Sequence, residues 1–273
     1  MHPSRITTAD PWADFDLGNG IGVPAAIGGD VTQEFFVAAV RRGLICSPRS
    51  EPQEVRRNEL TYGPDVRAGD IPVLPGNADP YSILWWSPNP RYIIHRDKVR
   101  IARSLRRTLY RSGWTTTLDA DLDGVIEGCR AHRQPRWITD QLIEVLRTLA
   151  PSGRVRSVEV WEGDQLVGGI FGYPVGNAFV MNSAFHARPD AAKAAIADLA
   201  YRVRSSGIRI LDAQARSDYT VRMGAVGISR DEYLREIDVE RQPLSLENGR
   251  LPVRRLLCPR NALPGSSRKK SGR

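Results

Sequence analysis

No stretch of this chain stays apolar for anything near the ~20 residues that a helix needs to cross a bilayer. The opening Met1-His-Pro-Ser-Arg-Ile-Thr-Thr-Ala-Asp10 also lacks the apolar centre of a secretion signal. No membrane association is expected, and a cytoplasmic location is. Cysteine is scarce: Cys46, Cys129 and Cys258 are odd in number, far apart and without paired ligand spacing. That pattern suggests neither a disulfide framework nor a zinc site, and no metal is expected. Acidic residues are also short. The 31 Asp and Glu face 39 Lys and Arg, a net charge of +8 that favours a polyanionic partner, nucleic acid being the simplest.

What is present suffices for a substantial core, since 273 residues make one large domain or two small ones packed closely together. Residues 31–43 read as a short helix with Thr32 as cap and Gly43 as stop. Ser47 to Asp79 then turns polar. Its Pro48, Pro52, Pro64, Pro72 and Pro75 argue against a long regular element and for a surface insertion. Between Arg96 and Arg111 the spacing predicts a helix with Ala102, Leu105 and Leu109 on one side and Arg100, Arg103, Arg106, Arg107 and Arg111 on the other. Solvated charge faces usually mix signs. This one holds a single acid, Asp97, so contact with phosphate is expected of it.

After a helical stretch from Ile138 to Leu149, alternating runs at 154–161, 166–173 and 178–185 predict a three-stranded antiparallel meander, with turns at Glu162-Gly-Asp-Gln165 and Gly176-Asn177. A helix follows from Asp190, its cap, to Val203, and leads into Ile208-Arg-Ile-Leu-Asp-Ala-Gln214. Period two puts Asp212 and Gln214 on one face where that strand ends. Taken alone, such a pair serves equally well to satisfy loop backbone. Arg254-Arg255 and then 265–273 are polar and basic; this tail is expected to be disordered and solubilising, with loose attraction for RNA as the lesser role.

The runs Ser157-Val-Glu-Val-Trp161, Leu166-Val-Gly-Gly-Ile-Phe-Gly172 and Phe179-Val-Met-Asn-Ser-Ala-Phe185, followed by the strand ending in Asp212 and Gln214, carry a family likeness. So do Ile27-Gly-Gly-Asp30, Ile83-Leu-Trp-Trp-Ser-Pro-Asn-Pro-Arg91, Val125-Ile-Glu-Gly-Cys129, Trp137-Ile-Thr139 and Met223-Gly-Ala225, all in the same order. Together they resemble the leucyl/phenylalanyl-tRNA-protein transferases. The expected fold is α/β (α+β). A small N-terminal α/β domain spans 1–92 and carries the insertion 47–79. A C-terminal domain spans 93–273, with the basic helix 96–111 and a disordered basic tail 262–273. Three strands, helix, strand, helix is the order of the GNAT acyltransferase core, so a mixed, mainly antiparallel sheet is expected there. CoA-dependent GNAT enzymes cradle pyrophosphate in a Gly-rich turn, and none follows these strands. No cofactor is expected beyond aminoacyl-tRNA as co-substrate.

The resemblance implies attack of an amine on the ester that joins an amino acid to the tRNA 3′ adenosine. The amine must be neutral and the oxyanion needs stabilising. An amide is too weak a base to hold a proton, so Gln214 is expected to orient the reactants and Asp212 to accept the incoming proton electrostatically. Ile170, Ile196, Leu199 and Val203 match the family's aminoacyl pocket, which implies an aliphatic or aromatic donor; plain core is the equal alternative for each. Trp137 is expected to stack on the adenosine, ahead of Trp85 and Trp86, which as neighbours should point in opposite directions.

Two departures from the family pattern stand near the expected site. The family carries Glu where Asn182 stands, and its Phe-Pro-Trp segment is replaced by Gly43-Leu-Ile-Cys-Ser-Pro48. Losing the carboxylate removes a charge that could hold an acceptor beginning with Arg or Lys. Three outcomes stay open: transfer to a protein N-terminus for degradation, transfer to a small amine in a biosynthetic pathway such as antibiotic assembly, or an inactive RNA-binding relative. Asn182, the altered segment and the insertion 47–79 tilt the expectation to the small amine, and a monomer is expected.

Overall fold

The computed structural model describes Trp12 and residues 22–258 except 77, 132–136, 242, 243 and 245. Its elements run β1 (Ala26–Gly28), α1 (Gln33–Arg41), β2 (Ile45–Pro48), α2 (Pro52–Ala68), β3 (Val73–Leu74), β4 (Ile83–Trp86), β5 (Arg91–His95), α3 (Arg103–Arg111), β6 (Thr115–Leu118), α4 (Leu122–Ala131) and α5 (Asp140–Leu149). Next come β7 (Arg156–Glu162), β8 (Gln165–Val175), β9 (Ala178–His186), α6 (Ala191–Arg202), β10 (Ile210–Gln214), α7 (Asp218–Arg222), β11 (Val226–Ile228), α8 (Arg230–Ile237) and β12 (Leu251–Pro252). The tail 262–273 lies outside the described residues.

One sheet has the order β2-β4-β1-β3 and the other β11-β5-β10-β9-β8-β7-β6-β12. In the larger sheet β10 runs parallel to β9 and the remaining neighbours are antiparallel, which makes the chain α+β with a mixed, mainly antiparallel sheet. The meander β7-β8-β9 matches its alternating sequence, turning at Gly163 and Gly176, which adopt φ of 57° and 50°. The chain changes sheet between Trp86 and Arg91, so residue 92 falls inside β5.

Helices cover both faces of the larger sheet. Ile170 and Met181 pack with α6 in one apolar cluster, while their neighbours Phe171 and Val180 pack with α4 and α5 in another. The second cluster also takes in Phe36 and Trp85, so the two sheets share a core. Six alanines of α6 are buried. They let the helix come close: a Cβ on Gly168 would lie 2.5 Å from that of Ala191.

Thr32 caps α1 as its sequence predicts, its Oγ1 accepting from the Phe35 N–H at 3.2 Å. Three expectations need correction. The stretch 47–79 contains the 17-residue helix α2. Pro52 sits at its first turn, where a missing N–H is harmless, and Pro64 faces solvent together with Leu60, whose freed carbonyl water can satisfy. The basic helix begins only at Arg103; Ala102 is its exposed cap residue, and Arg100 lies in the segment before it. Asp190 is left-handed at φ 71° and caps nothing through its side chain, which instead accepts from Lys193 at 2.6 Å and Thr108 at 3.1 Å.

Candidate active site

β10 and β9 pair through Ile210↔Ala178, Leu211↔Phe179 and Asp212↔Val180, and there the pairing stops. Both strands are irregular at that point. On β9 the register with β8 moves from Phe171↔Ser183 to Gly172↔Met181, leaving Asn182 as an extra residue. A Cβ on Gly172 would lie 2.0 Å from the Val180 carbonyl oxygen, so this bulge requires glycine. On β10 the register with β5 moves from Asp212↔Ile93 to Gln214↔Tyr92, with Ala213 as the extra residue. Gln214 takes φ of 65°, a region that side-chain-bearing residues rarely occupy. The expected placement of Asp212 and Gln214 on one face by alternation is therefore corrected. A bulge lies between them, and bulges arise from pairing with neighbours rather than from the local pattern.

Asp212 turns inward and is fully buried. Its Oδ1 accepts from Arg91 Nε at 2.9 Å and from the Gln214 backbone N–H at 2.7 Å. Its Oδ2 accepts from an Arg91 terminal nitrogen at 2.6 Å and from the Tyr233 hydroxyl at 2.8 Å. Arg91 is buried too, donates to the Gly43 carbonyl at 3.0 Å, and lies 4.3 Å from the centre of the Tyr233 ring. Burial opposes the Arg91 charge, but Asp212 and Tyr233 outweigh it and hold the guanidinium pKa above its usual value. Burial raises the Tyr233 phenol despite Arg91, and Asp212 raises it further, so Tyr233 stays a donor. Both carboxylate oxygens are thus engaged by protein, and Asp212 has no exposed surface. The 2.7 Å bond from the Gln214 N–H ties Asp212 to the backbone of that residue.

Gln214 is half-buried and spans the gap between the parted strands, its Nε2 donating to the Met181 carbonyl at 3.3 Å. Among the described residues none donates to its amide oxygen. At the facing bulge Asn182 Nδ2 and Ser183 Oγ are buried with no partner among the described residues, as is the hydroxyl of Tyr219 on α7.

Ile170, Ile196, Leu199 and Val203 come together in one apolar cluster, each no more than 2% exposed. Met181 belongs to that cluster and Ala213 packs against it, so it extends to where the strands part. Trp137 is half-buried against the other cluster, on the opposite side of the sheet from Ile196. Trp85 and Trp86 do point apart: Trp85 is in the core and donates to the Gly28 carbonyl at 2.9 Å, while Trp86 meets the edge of Tyr62. On α3, Leu105 and Leu109 are buried and Arg103, Arg106, Arg107 and Arg111 are exposed. Exposed Arg100 donates its backbone N–H to Met223 at 2.9 Å, just past α7.

The sequence profile described as leucyl/phenylalanyl-tRNA protein transferase matches residues 93–238, which hold both bulges, α3 and α6. The chain belongs to this family. The leucyl/phenylalanyl-tRNA–protein transferase of Solidesulfovibrio magneticus is 34% identical over 223 residues, 80% of this chain and 78% of that protein. The namesake from Nitratidesulfovibrio vulgaris is 34% identical over 232 residues, covering 83% and 87%, and that from Idiomarina loihiensis is 32% identical over 187, covering 67% and 79%. As a member of the leucyl/phenylalanyl-tRNA protein transferases the chain is an aminoacyltransferase. Sequence reasoning does not reach the support of its site, Arg91 and Tyr233. The available signal is an arginine heading the apolar run Tyr92-Ile-Ile94, because a charge in a central strand demands a carboxylate partner.

Proposed function

We propose that the enzyme moves an apolar amino acid, leucine- or phenylalanine-like, from the 3′ ester of its tRNA to the N-terminal amine of a protein. The observation that carries this reading is Gln214, held in a strained backbone over the gap between β9 and β10 with its amide oxygen open to a donor. The amine accepts no proton while it attacks. It places its N–H against the Gln214 oxygen, its nitrogen bonds to the ester carbon, the bond to the ribose 3′ oxygen breaks, and the amine proton ends on that oxygen. The ester supplies the driving force, so no cofactor is invoked. Asp212 acts through the backbone of Gln214 as a positioning residue. We assign the aminoacyl group to the apolar cluster of Ile170, Ile196, Leu199 and Val203 at the end where Met181 and Ala213 bring it to the gap; Trp137 packs on the opposite face of the sheet and is not assigned to the adenosine. The order of strands and helix, with β9 and β10 parting, supports a GNAT-like transfer cleft.

The names of the relatives, tRNA–protein transferases, support a protein acceptor, and so does acidity. An α-amine has a pKa of roughly 8 against about 10.4 for lysine, so far more of it is neutral at pH 7. The small-amine acceptor that Asn182 suggested finds no support in those relatives. Asn182 instead offers its unpartnered amide N–H as a neutral donor beside the site. The test supplies labelled leucyl- and phenylalanyl-tRNA with an Arg-initiated peptide, its N-acetylated form and a pool of small amines. Label on the free peptide alone is expected. Label on small amines alone overturns the acceptor, and bound tRNA without transfer overturns the activity. Asn182→Glu is expected to improve use of the Arg-initiated peptide by roughly tenfold by restoring a charge for the acceptor to meet.

A further inference from the structure

The family match ends at residue 238, but the chain goes on to build an ordered element at 251–257. β12 pairs with β6 through Leu251↔Thr116 and Pro252↔Thr115, and the Val253 N–H donates to Trp114 at 3.0 Å. Val253 is buried, and Leu256 and Leu257 pack on the core beside α6. The neighbours Arg254 and Arg255 then part company. Arg255 turns in to the buried carboxylate of Asp198, which also binds Arg202. Arg254 turns out, exposed, with its guanidinium 4.3 Å from the centre of the Tyr110 ring on α3. The pair expected in a disordered tail thus belongs to a folded turn.

Tyr110 lies within the arginine arc, between Arg106 and Arg103. At 3.6 residues per turn, Arg106, Tyr110, Arg103, Arg107 and Arg111 follow one another around the side of α3 opposite Leu105 and Leu109. Among the described residues none of these four arginines, nor Arg254, is paired with a carboxylate. A fifth cation placed amid four others is repelled by them, and aromatic stacking offsets only part of that. Such a site is balanced when a polyanion covers it.

We propose that the segment 251–257 is an appended RNA-docking element, and that Arg254, seated on Tyr110, contacts the tRNA backbone together with α3. This rests on the tRNA-dependent function above, but its test is binding of uncharged tRNA, where transfer plays no part. Affinity is read against salt for the full chain, for Arg254→Glu, for Tyr110→Leu, and for Arg235→Ala, which removes an exposed charge from α8. Arg254→Glu is expected to bind roughly tenfold more weakly and to lower the slope of log affinity on log salt by about 0.7–0.9. Tyr110→Leu is expected to shift both in the same direction by less, and Arg235→Ala neither. Wild-type affinity and slope in Arg254→Glu overturn the proposal, as does an equal loss in Arg235→Ala. A chain that binds tRNA in this way yet transfers nothing would sink the proposed function and leave the docking element standing.

Discussion

Two groups of charge in this enzyme are built on opposite rules. Around Asp212, Arg91 and Tyr233 each charge is out of water and each carboxylate oxygen is engaged. On α3 the arginines are exposed and, among the described residues, unpaired. The first group is complete without a ligand, so its chemistry is spent on geometry: it fixes the backbone of Gln214. The second has no carboxylate partner among the described residues. If charge saturated by protein serves as support and charge left open as contact, the two groups should respond oppositely to substitution. Gln214 stands between the two, with its amide nitrogen engaged and its oxygen open.

The most damaging way to break this comparison is to remove one partner of the closed group. Arg91→Ala leaves Asp212 buried and uncompensated, which is expected to destabilise the fold by about 3–5 kcal/mol in urea unfolding and to abolish transfer. Asp212→Ala strands Arg91 in the same way, so loss of transfer in that variant is expected to come with loss of stability. The double variant is expected to be less destabilised than the sum of the singles. Strict additivity would show that the pair is not coupled.

Gln214→Gly separates support from contact. Glycine adopts a φ of 65° without strain, so stability is expected to hold or rise by about 1 kcal/mol. Transfer is expected to fall roughly 100-fold, because the group that orients the amine is gone. Turnover at the wild-type rate removes Gln214 from the mechanism and moves the search to Asn182 and Ser183.

The open group predicts the reverse. Arg103→Glu with Arg107→Glu is expected to change stability by no more than about 0.5 kcal/mol, since neither side chain is paired within the described fold. Binding of tRNA is expected to weaken roughly 10- to 100-fold at moderate salt, with a flatter salt dependence. An unaltered slope would identify α3 as an ordinary solvated face.

The same division explains what can be read from the chain alone. The meander is legible because its alternation and its glycine turns are local, and α1 because Thr32 sits one turn before an apolar face. The α3 arginines are legible for the same reason, although the cap position is not. Arg91 and Asp212 are 121 residues apart, and neither spacing nor composition pairs them. The bulges at Asn182 and Ala213 depend on neighbouring strands. Helix α2 hides behind its prolines because what holds it is tertiary: Asn58 donates to the Tyr81 carbonyl at 2.8 Å, and Tyr62 meets Trp86.

A partly exposed ion pair lies between these extremes and sharpens the scale. Arg209 on β10's approach is 59% exposed and Glu236 on α8 is 22% exposed. Burial raises the Glu236 pKa, but hydrogen bonds from Arg209 and Asn177 and the charges of Arg209 and His95 outweigh it, so the carboxyl is held below its ordinary value. A carboxyl with a depressed folded pKa contributes stability above its unfolded pKa and loses it as pH falls through the folded one. Comparing wild type with Glu236→Gln is therefore expected to show a difference of less than about 1 kcal/mol at neutral pH, shrinking only below roughly pH 4.5. A difference that stays constant down to pH 3 would mean that the hydrogen bond of Asn177, rather than charge, carries the interaction. The pair would then group with the closed geometry around Asp212 in kind, though not in size.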